Sequence, residues 1–139
     1  AEIIAQFNAS VCIMHNAKNA LSGNIWRPIT EFLQNSVKIA LESGISKEKI
    51  CLDGGIGFAK NKDQNHELLN GYERLLPLGY PLLLGTSRKS MFGGLPEERL
   101  PQTIESTRLA VRKSVLFVRV HDVKENVEAI KEEYAKING

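Results

Sequence analysis

The sequence has no excess of either charge: 18 lysines and arginines stand against 16 aspartates and glutamates, a net charge of +2. Without a run of like charges it offers neither the basic stripe of a nucleic-acid binder nor a polybasic membrane anchor, so no nucleic acid and no membrane are expected as partners. It also lacks an apolar stretch approaching the roughly 18 residues of a membrane span. Its opening residues lack the basic and apolar regions of a secretory signal, which makes a cytoplasmic location the expectation. Cysteine is scarce. Cys12 and Cys51 each lie inside an apolar run, the pattern of reduced packing cysteines, and no CxxC pair, disulfide framework or zinc spacing is present. No low-complexity linker or charge block divides the chain. With 139 residues, 42% of them hydrophobic, residues 1–139 read as a single domain able to bury a core.

What is present is a repeat of strand and helix. Four apolar runs, Val11 to Met14, Ile50 to Leu52, Tyr80 to Leu84 and Val115 to Val120, are continuous rather than alternating, as in strands buried on both faces of a parallel sheet. Successive runs are spaced near the ~30 or more residues of a strand-helix-strand unit. After the first, Ile29, Phe32, Leu33, Val37, Ala40 and Leu41 recur at helical spacing up to Gly44, a natural C-cap. After the second, Leu68, Leu69, Tyr72, Leu75 and Leu76 predict one helix that Pro77 and Gly79 stop. A third helix carries Ile104, Thr107, Leu109, Ala110 and Val111, with Pro101 in its first turn. In the fourth, Asp122 is the expected N-cap with Glu125 three residues on, and Val127, Ile130 and Tyr134 share a face. The fold class is α/β, four βα units. Periodicity leaves open whether they form an open doubly wound sheet or part of an eight-stranded barrel.

Polar residues interrupt the apolar runs at one end only. His15 and Asn16, Asp53, then Thr86 to Lys89, and finally Arg119, His121 and Asp122 all stand at carboxyl ends of strands, the edge where parallel α/β folds bind ligands. Asp53-Gly54-Gly55-Ile56-Gly57-Phe58 either lets the backbone approach a ligand beside an aromatic edge or is a tight turn capped by its Asp. It matches neither GxGxxG nor the P-loop. Thr86-Ser87-Arg88-Lys89-Ser90 gathers cations and hydroxyls that suit an anionic or carbonyl ligand, or else are solvated loop charges. Arg119 and His121, two apart on a strand, point the same way and make a clamp for a diphosphate or carboxylate, or else are purely structural, the weaker alternative because burying them without an anion is costly. His15 could line the site or turn outward, and His66, among polar helix neighbours, reads as solvent-exposed.

Taken together, Ile13-Met14-His15-Asn16, Leu52-Asp53-Gly54-Gly55-Ile56-Gly57-Phe58-Ala59-Lys60, Gly85-Thr86-Ser87-Arg88-Lys89-Ser90 and Arg119-Val120-His121-Asp122-Val123 resemble, in order and spacing, the dihydropteroate synthases of the pterin-binding barrel family. The Ser-Arg-Lys and Arg-Val-His-Asp segments together separate it from the pterin-binding methyltransferases. The resemblance implies that the four βα units match the second half of a (β/α)8 TIM barrel. It implies a transferase of folate biosynthesis that joins 6-hydroxymethyl-7,8-dihydropterin diphosphate to 4-aminobenzoate, with Lys89, Arg119 and His121 as catalytic residues. Asp53 and Lys89 would bind the pterin, Arg119 would lie along its face, and His121 with Arg119 would hold the diphosphate. Ser87 would sit near the aminobenzoate carboxylate, and Met14, Gly57 and Phe58 would line the pocket. Mg²⁺ is implied as a cofactor, with its protein ligand in the other half of the barrel, so no metal ligand is assigned here; a homodimer is implied too.

The sequence departs from the family in three ways. Gly54 stands where the family has Pro, which is expected to loosen the aim of Asp53. Ser114 stands where a glycine would end the helix in a left-handed turn, at an expected cost of order 1 kcal/mol. A full barrel takes roughly 250 residues. Four units are therefore expected to be inactive alone, and the alternative is a non-catalytic half-barrel that covers its open edges by self-association and retains some pterin or diphosphate binding.

Overall fold

The computed structural model describes residues 1–139 and orders them as helix α1 (Glu2–Gln6), strand β1 (Val11–Met14), α2 (Trp26–Glu42), β2 (Ile50–Asp53), α3 (Lys62–Asn70), a 3-10 segment (Tyr72–Leu78), β3 (Leu82–Leu84), α4 (Leu100–Arg112), β4 (Phe117–Val118) and α5 (Val123–Asn138). All four strands are parallel and lie in sequence order, β1-β2-β3-β4. In register, Met14 stands beside Asp53, Asp53 beside Leu83, and Leu83 beside Phe117. The ends that carry the polar clusters are thereby set next to one another.

Alternation of side chains along the strands divides the sheet into two faces. Ile50, Leu52, Leu82 and Leu84 join Ile29, Leu33, Val37, Leu68 and Leu75 in the core between sheet and helices. The apolar stripe of α2, Trp26, Ile29, Leu33, Val37 and Ala40, is buried on that side, each large side chain contributing about 1.5–3 kcal/mol. On the opposite face Cys12 is exposed and Phe117 is 46% exposed. Cys12, read from its apolar neighbours as a packing cysteine, is exposed in this chain, while its register neighbour Cys51 is half-buried.

Three elements differ from expectation. The single helix expected over Leu68–Leu76 breaks at Gly71, where a Cβ would lie 2.7 Å from Cζ2 of Trp26; the chain passes the indole there and continues as 3-10. The fourth strand is shorter than its apolar run, because an edge strand pairs on one side only, through Leu83 with Phe117 and Leu84 with Val118. Asp122 precedes α5, but its side chain does not cap the helix; it accepts from Arg88 at 3.0 Å. Ser114 does adopt the left-handed conformation, φ 56°, after α4, and the Val115 N–H donates to the Ala110 carbonyl at 2.9 Å. No helix is long and apolar enough to cross a membrane.

Candidate functional site

Asp53 ends β2 with its carboxylate only 2% exposed. Its Oδ1 accepts from the Gly55 N–H at 2.7 Å, while Oδ2 has just the Arg119 guanidinium at 3.5 Å. Burial pushes its pKa upward, against the pull of the Gly55 N–H and Arg119. A buried carboxylate with one oxygen so weakly paired is built to accept further hydrogen bonds.

Tyr72, fully buried, braces this carboxylate from behind. Its Oη donates to the Leu83 carbonyl at 2.6 Å, accepts from the Gly54 N–H at 2.8 Å and lies 3.4 Å from Asp53 Oδ1. Gly54 therefore does not loosen the aim of Asp53 as expected. It is buried, its φ is not positive, and its N–H is tied to Tyr72. The sequence showed Tyr72 only as one member of an apolar helix stripe; its phenol tip carries the missed role.

Past Asp53 the turn curls through positive φ at Gly55 (74°) and Gly57 (83°). Gly57 is held by its N–H to Asn65 Oδ1 at 2.7 Å, and Lys89 passes so close that a Cβ on Gly57 would lie 3.1 Å from Lys89 Cδ. Lys89 Nζ ends 4.4 Å above the Phe58 ring, a cation-π contact. Burial, and then the nearby Arg119, lower the Lys89 pKa.

Arg119 crosses Gly85 the same way, for a Cβ there would stand 2.7 Å from its Nη2. Ser87 Oγ bonds His121 Nδ1 at 2.9 Å and accepts from the His121 N–H at 3.2 Å. Ser87, Arg88, Lys89, Arg119 and His121 line a cavity of about 310 Å³ at the strand ends. Cations and donors dominate it, so it suits an anion.

The residues singled out from the sequence thus converge, with one in a lesser position. Asp53, Gly57, Phe58, Ser87, Lys89, Arg119 and His121 form one continuous surface. Met14 stands beside Asp53 in register but does not line the anion cavity. His15 is buried rather than turned outward, and His66 is half-buried, not solvent-exposed, because its Nε2 bonds the Met91 carbonyl at 3.1 Å. The donor set does not suit Mg²⁺, which takes oxygen ligands. The cavity offers Arg, Lys and His, and no carboxylate lines it.

The chain is thus a parallel βα array with a buried carboxylate, an aromatic-cation turn and a cluster of cations gathered at its carboxyl edge. Residues 1–121 match the model of the family described as pterin binding enzyme, and the chain belongs to that family. It is 46% identical over 136 residues to the dihydropteroate synthase of Clostridium beijerinckii, covering 94% of this chain and 51% of that protein. With the Bacillus subtilis dihydropteroate synthase the figures are 38% over 142 residues, 99% and 50%. Among solved structures, the Clostridium difficile dihydropteroate synthase in the presence of pteroic acid superposes with a TM-score of 0.94 at 44% identity, covering 97% of this chain and 53% of that one. The Xanthomonas albilineans dihydropteroate synthase with 4-aminobenzoic acid gives a TM-score of 0.92 at 32% identity, covering 96% and 51%. The chain spans about half the length of the curated relatives it matches, and its four βα units correspond to half of their barrel.

Proposed function

We propose that this chain forms the pterin- and diphosphate-binding side of a dihydropteroate synthase, a transferase that joins 6-hydroxymethyl-7,8-dihydropterin diphosphate to 4-aminobenzoate. The observation that carries this is the Asp53 carboxylate, buried and with Oδ2 nearly unpartnered beside Arg119 and Lys89. A pterin presents adjacent N–H donors and a carbonyl on one ring edge, which Asp53 and Lys89 complement, while Arg119 lies along the ring face. In the reaction the bond between the pterin methylene carbon and the diphosphate oxygen breaks, and its electron pair leaves with the diphosphate. Arg119 and His121 stabilise that departing charge. The arylamine nitrogen of 4-aminobenzoate then bonds to the methylene carbon and loses a proton, with Ser87 near its carboxylate. That dihydropteroate synthase structures hold pteroic acid in complex, in Coxiella burnetii, and 4-aminobenzoic acid, in Xanthomonas albilineans, supports the same ligands here. Mg²⁺ belongs to this proposal only as a cofactor held outside the residues of this chain.

Calorimetric titration of 6-hydroxymethylpterin into the chain tests the reading. Asp53→Asn or Lys89→Ala weakens binding tenfold or more, on the ~1.5–3 kcal/mol scale of charge-assisted hydrogen bonds. Unchanged affinity in both variants rejects it. Turnover by the 139-residue chain alone is expected to be absent.

A second reading, a half-barrel that closes on another copy, is favoured by the free edges of β1 and β4 and by Leu116 and Phe117, 66% and 46% exposed. Homodimer formation belongs to it. Sedimentation equilibrium separates the readings: a compact dimer supports self-association, and a monomer at high concentration removes it.

A further inference from the structure

Lys60 lies behind the Gly-rich turn, outside the ligand surface, yet all its donors are committed. Its Nζ donates to the Gly55 carbonyl at 2.9 Å and the Phe58 carbonyl at 2.9 Å, and lies 3.0 Å from His15 Nδ1. An ammonium has three N–H donors, so the third goes to His15, which must accept as a neutral ring protonated on Nε2. His15 suits that role: it is 2% exposed, and burial together with the Lys60 charge lowers its pKa to about 4. Its own backbone is fixed too, since the His15 N–H donates to the Asp53 carbonyl at 2.9 Å.

These bonds hold the two functional ends of the turn. Gly55 holds Asp53 through the N–H of the peptide before its Cα and Lys60 through the carbonyl of the peptide after it. Gly55 cannot shift toward β1, because even a Cβ there would lie 1.9 Å from the His15 carbonyl oxygen. At the far end the Phe58 carbonyl is pinned by Lys60 while the Phe58 ring supports Lys89. We propose that Lys60, as an ammonium bridging His15, Gly55 and Phe58, is the positioning residue that sets the aim of Asp53 and of the Phe58–Lys89 pair. The functional part of this inference rests on the pterin-binding reading above.

A pH dependence follows from counting protons. A neutral amine has two N–H groups for three acceptors, so deprotonation releases one of the bonds. The groups facing Lys60 are His15 from the end of β1 and Asp53 from β2, while α3 presents neutral Asn65, whose Nδ2 donates to the Lys60 carbonyl at 3.3 Å. Burial lowers the Lys60 pKa to about 8, with Asp53 opposing. The turn therefore loosens as the pH rises through that value.

Nitrogen-15 NMR of the 139-residue chain tests this without any ligand. The His15 Nδ1 and the Gly55 and Phe58 amides shift together with a midpoint near pH 8, and Lys60→Met abolishes that common step. Lys60→Met also weakens 6-hydroxymethylpterin binding about tenfold, the scale of one lost charge-assisted bond. Absence of the step in the unmodified chain overturns the inference, whether or not the variant folds. So does a Lys60→Met protein that binds normally while Asp53→Asn does not, a result that leaves the pterin reading intact. A common step in a chain that binds no pterin supports the clamp on the turn and rejects the pterin reading instead.

Discussion

Gly85→Ala isolates the anion clamp from the stability of the fold. Gly85 does not have a positive φ, so alanine is allowed by the backbone, and the only obstacle to its Cβ is the Arg119 guanidinium, with Nη2 at 2.7 Å and Cζ at 3.2 Å. Ordinary contact begins at 3.4 Å, so the guanidinium must move by roughly 0.7 Å. It is the far end of a flexible side chain 55% exposed, and its pairing with Asp53 Oδ2 is already long at 3.5 Å. Asp53 is buried, so loosening that pair costs about 1–3 kcal/mol, and the reduced freedom of the unfolded chain returns about 0.4–1 kcal/mol. The loss of stability should then stay below ~2 kcal/mol. Binding should weaken, because a shift of that size takes the Arg119 guanidinium out of alignment with Lys89 and His121 in the cavity wall they share. Inorganic diphosphate affinity is expected to fall about tenfold or more, ~1.5 kcal/mol or above. Urea unfolding measures the first quantity and calorimetric titration of diphosphate the second. Equal diphosphate affinity, or a stability loss above ~2 kcal/mol, refutes the account of Gly85 as a cradle for Arg119.

Three further outcomes are expected. Tyr72→Phe keeps the packing but strips the buried Gly54 N–H and Leu83 carbonyl of a partner; it should lower stability by about 1–3 kcal/mol in urea unfolding, and an unchanged midpoint would count against the brace. Ser114→Gly relieves a left-handed serine on an exposed helix end, and should gain ~0.5–1 kcal/mol and raise Tm by about 2–4 °C in calorimetry; a lower Tm contradicts it. Because the folded-state pKa of His15 is depressed to about 4, the native state binds fewer protons than the unfolded chain between that value and 6.5, and stability is lost as the pH falls through this window. The full shift is worth roughly 3 kcal/mol; since the raised pKa of Asp53 works in the opposite direction, the reading is the difference between parent and His15→Asn unfolding curves, and parallel pH profiles would dismiss it.

The layout of the fold was legible because its signals are local. Continuous apolar runs marked β1, β2 and β3, the stripe from Ile29 to Leu41 marked α2, and polar residues at one end of each run marked the edge that carries the candidate site. Ser114 was legible for the same reason, since a helix end constrains φ at one known position. The supports of the site were not. Tyr72 fits a helical apolar stripe, and spacing says nothing of where its hydroxyl finds partners across the sheet at Gly54 and Leu83. Lys60 stood inside the Asp53 to Lys60 stretch as its last residue, but that its long side chain folds back to His15 depends on β1 and β2 being neighbours. Asp122 met every rule for an N-cap and lost to a charged competitor, Arg88, brought over by the loop after β3. Cys12 is exposed where its apolar neighbours imply burial, because it stands on the sheet face away from α2.

The replacement of an expected proline by Gly54 shows how this chain secures its carboxylate by other means. A proline would lend the turn a fixed φ but has no N–H to give. Here the Gly54 N–H is used, bonded to Tyr72, and the space around it is closed: a Cβ would meet Tyr72 Cε2 at 3.1 Å and the Leu68 and Leu75 methyls at 3.2 Å. Conformational freedom that glycine has in the unfolded chain is therefore removed in the folded one by contacts from α3 and the 3-10 segment. Asp53 is then fixed from three directions, by β2 through its backbone, by Tyr72 beneath Gly54, and by Gly55. Arg119 at 3.5 Å is the least constraining of its neighbours. A ligand donating to Oδ2 has only that contact to displace, while the oxygen that keeps the carboxylate in place stays bonded to the Gly55 N–H.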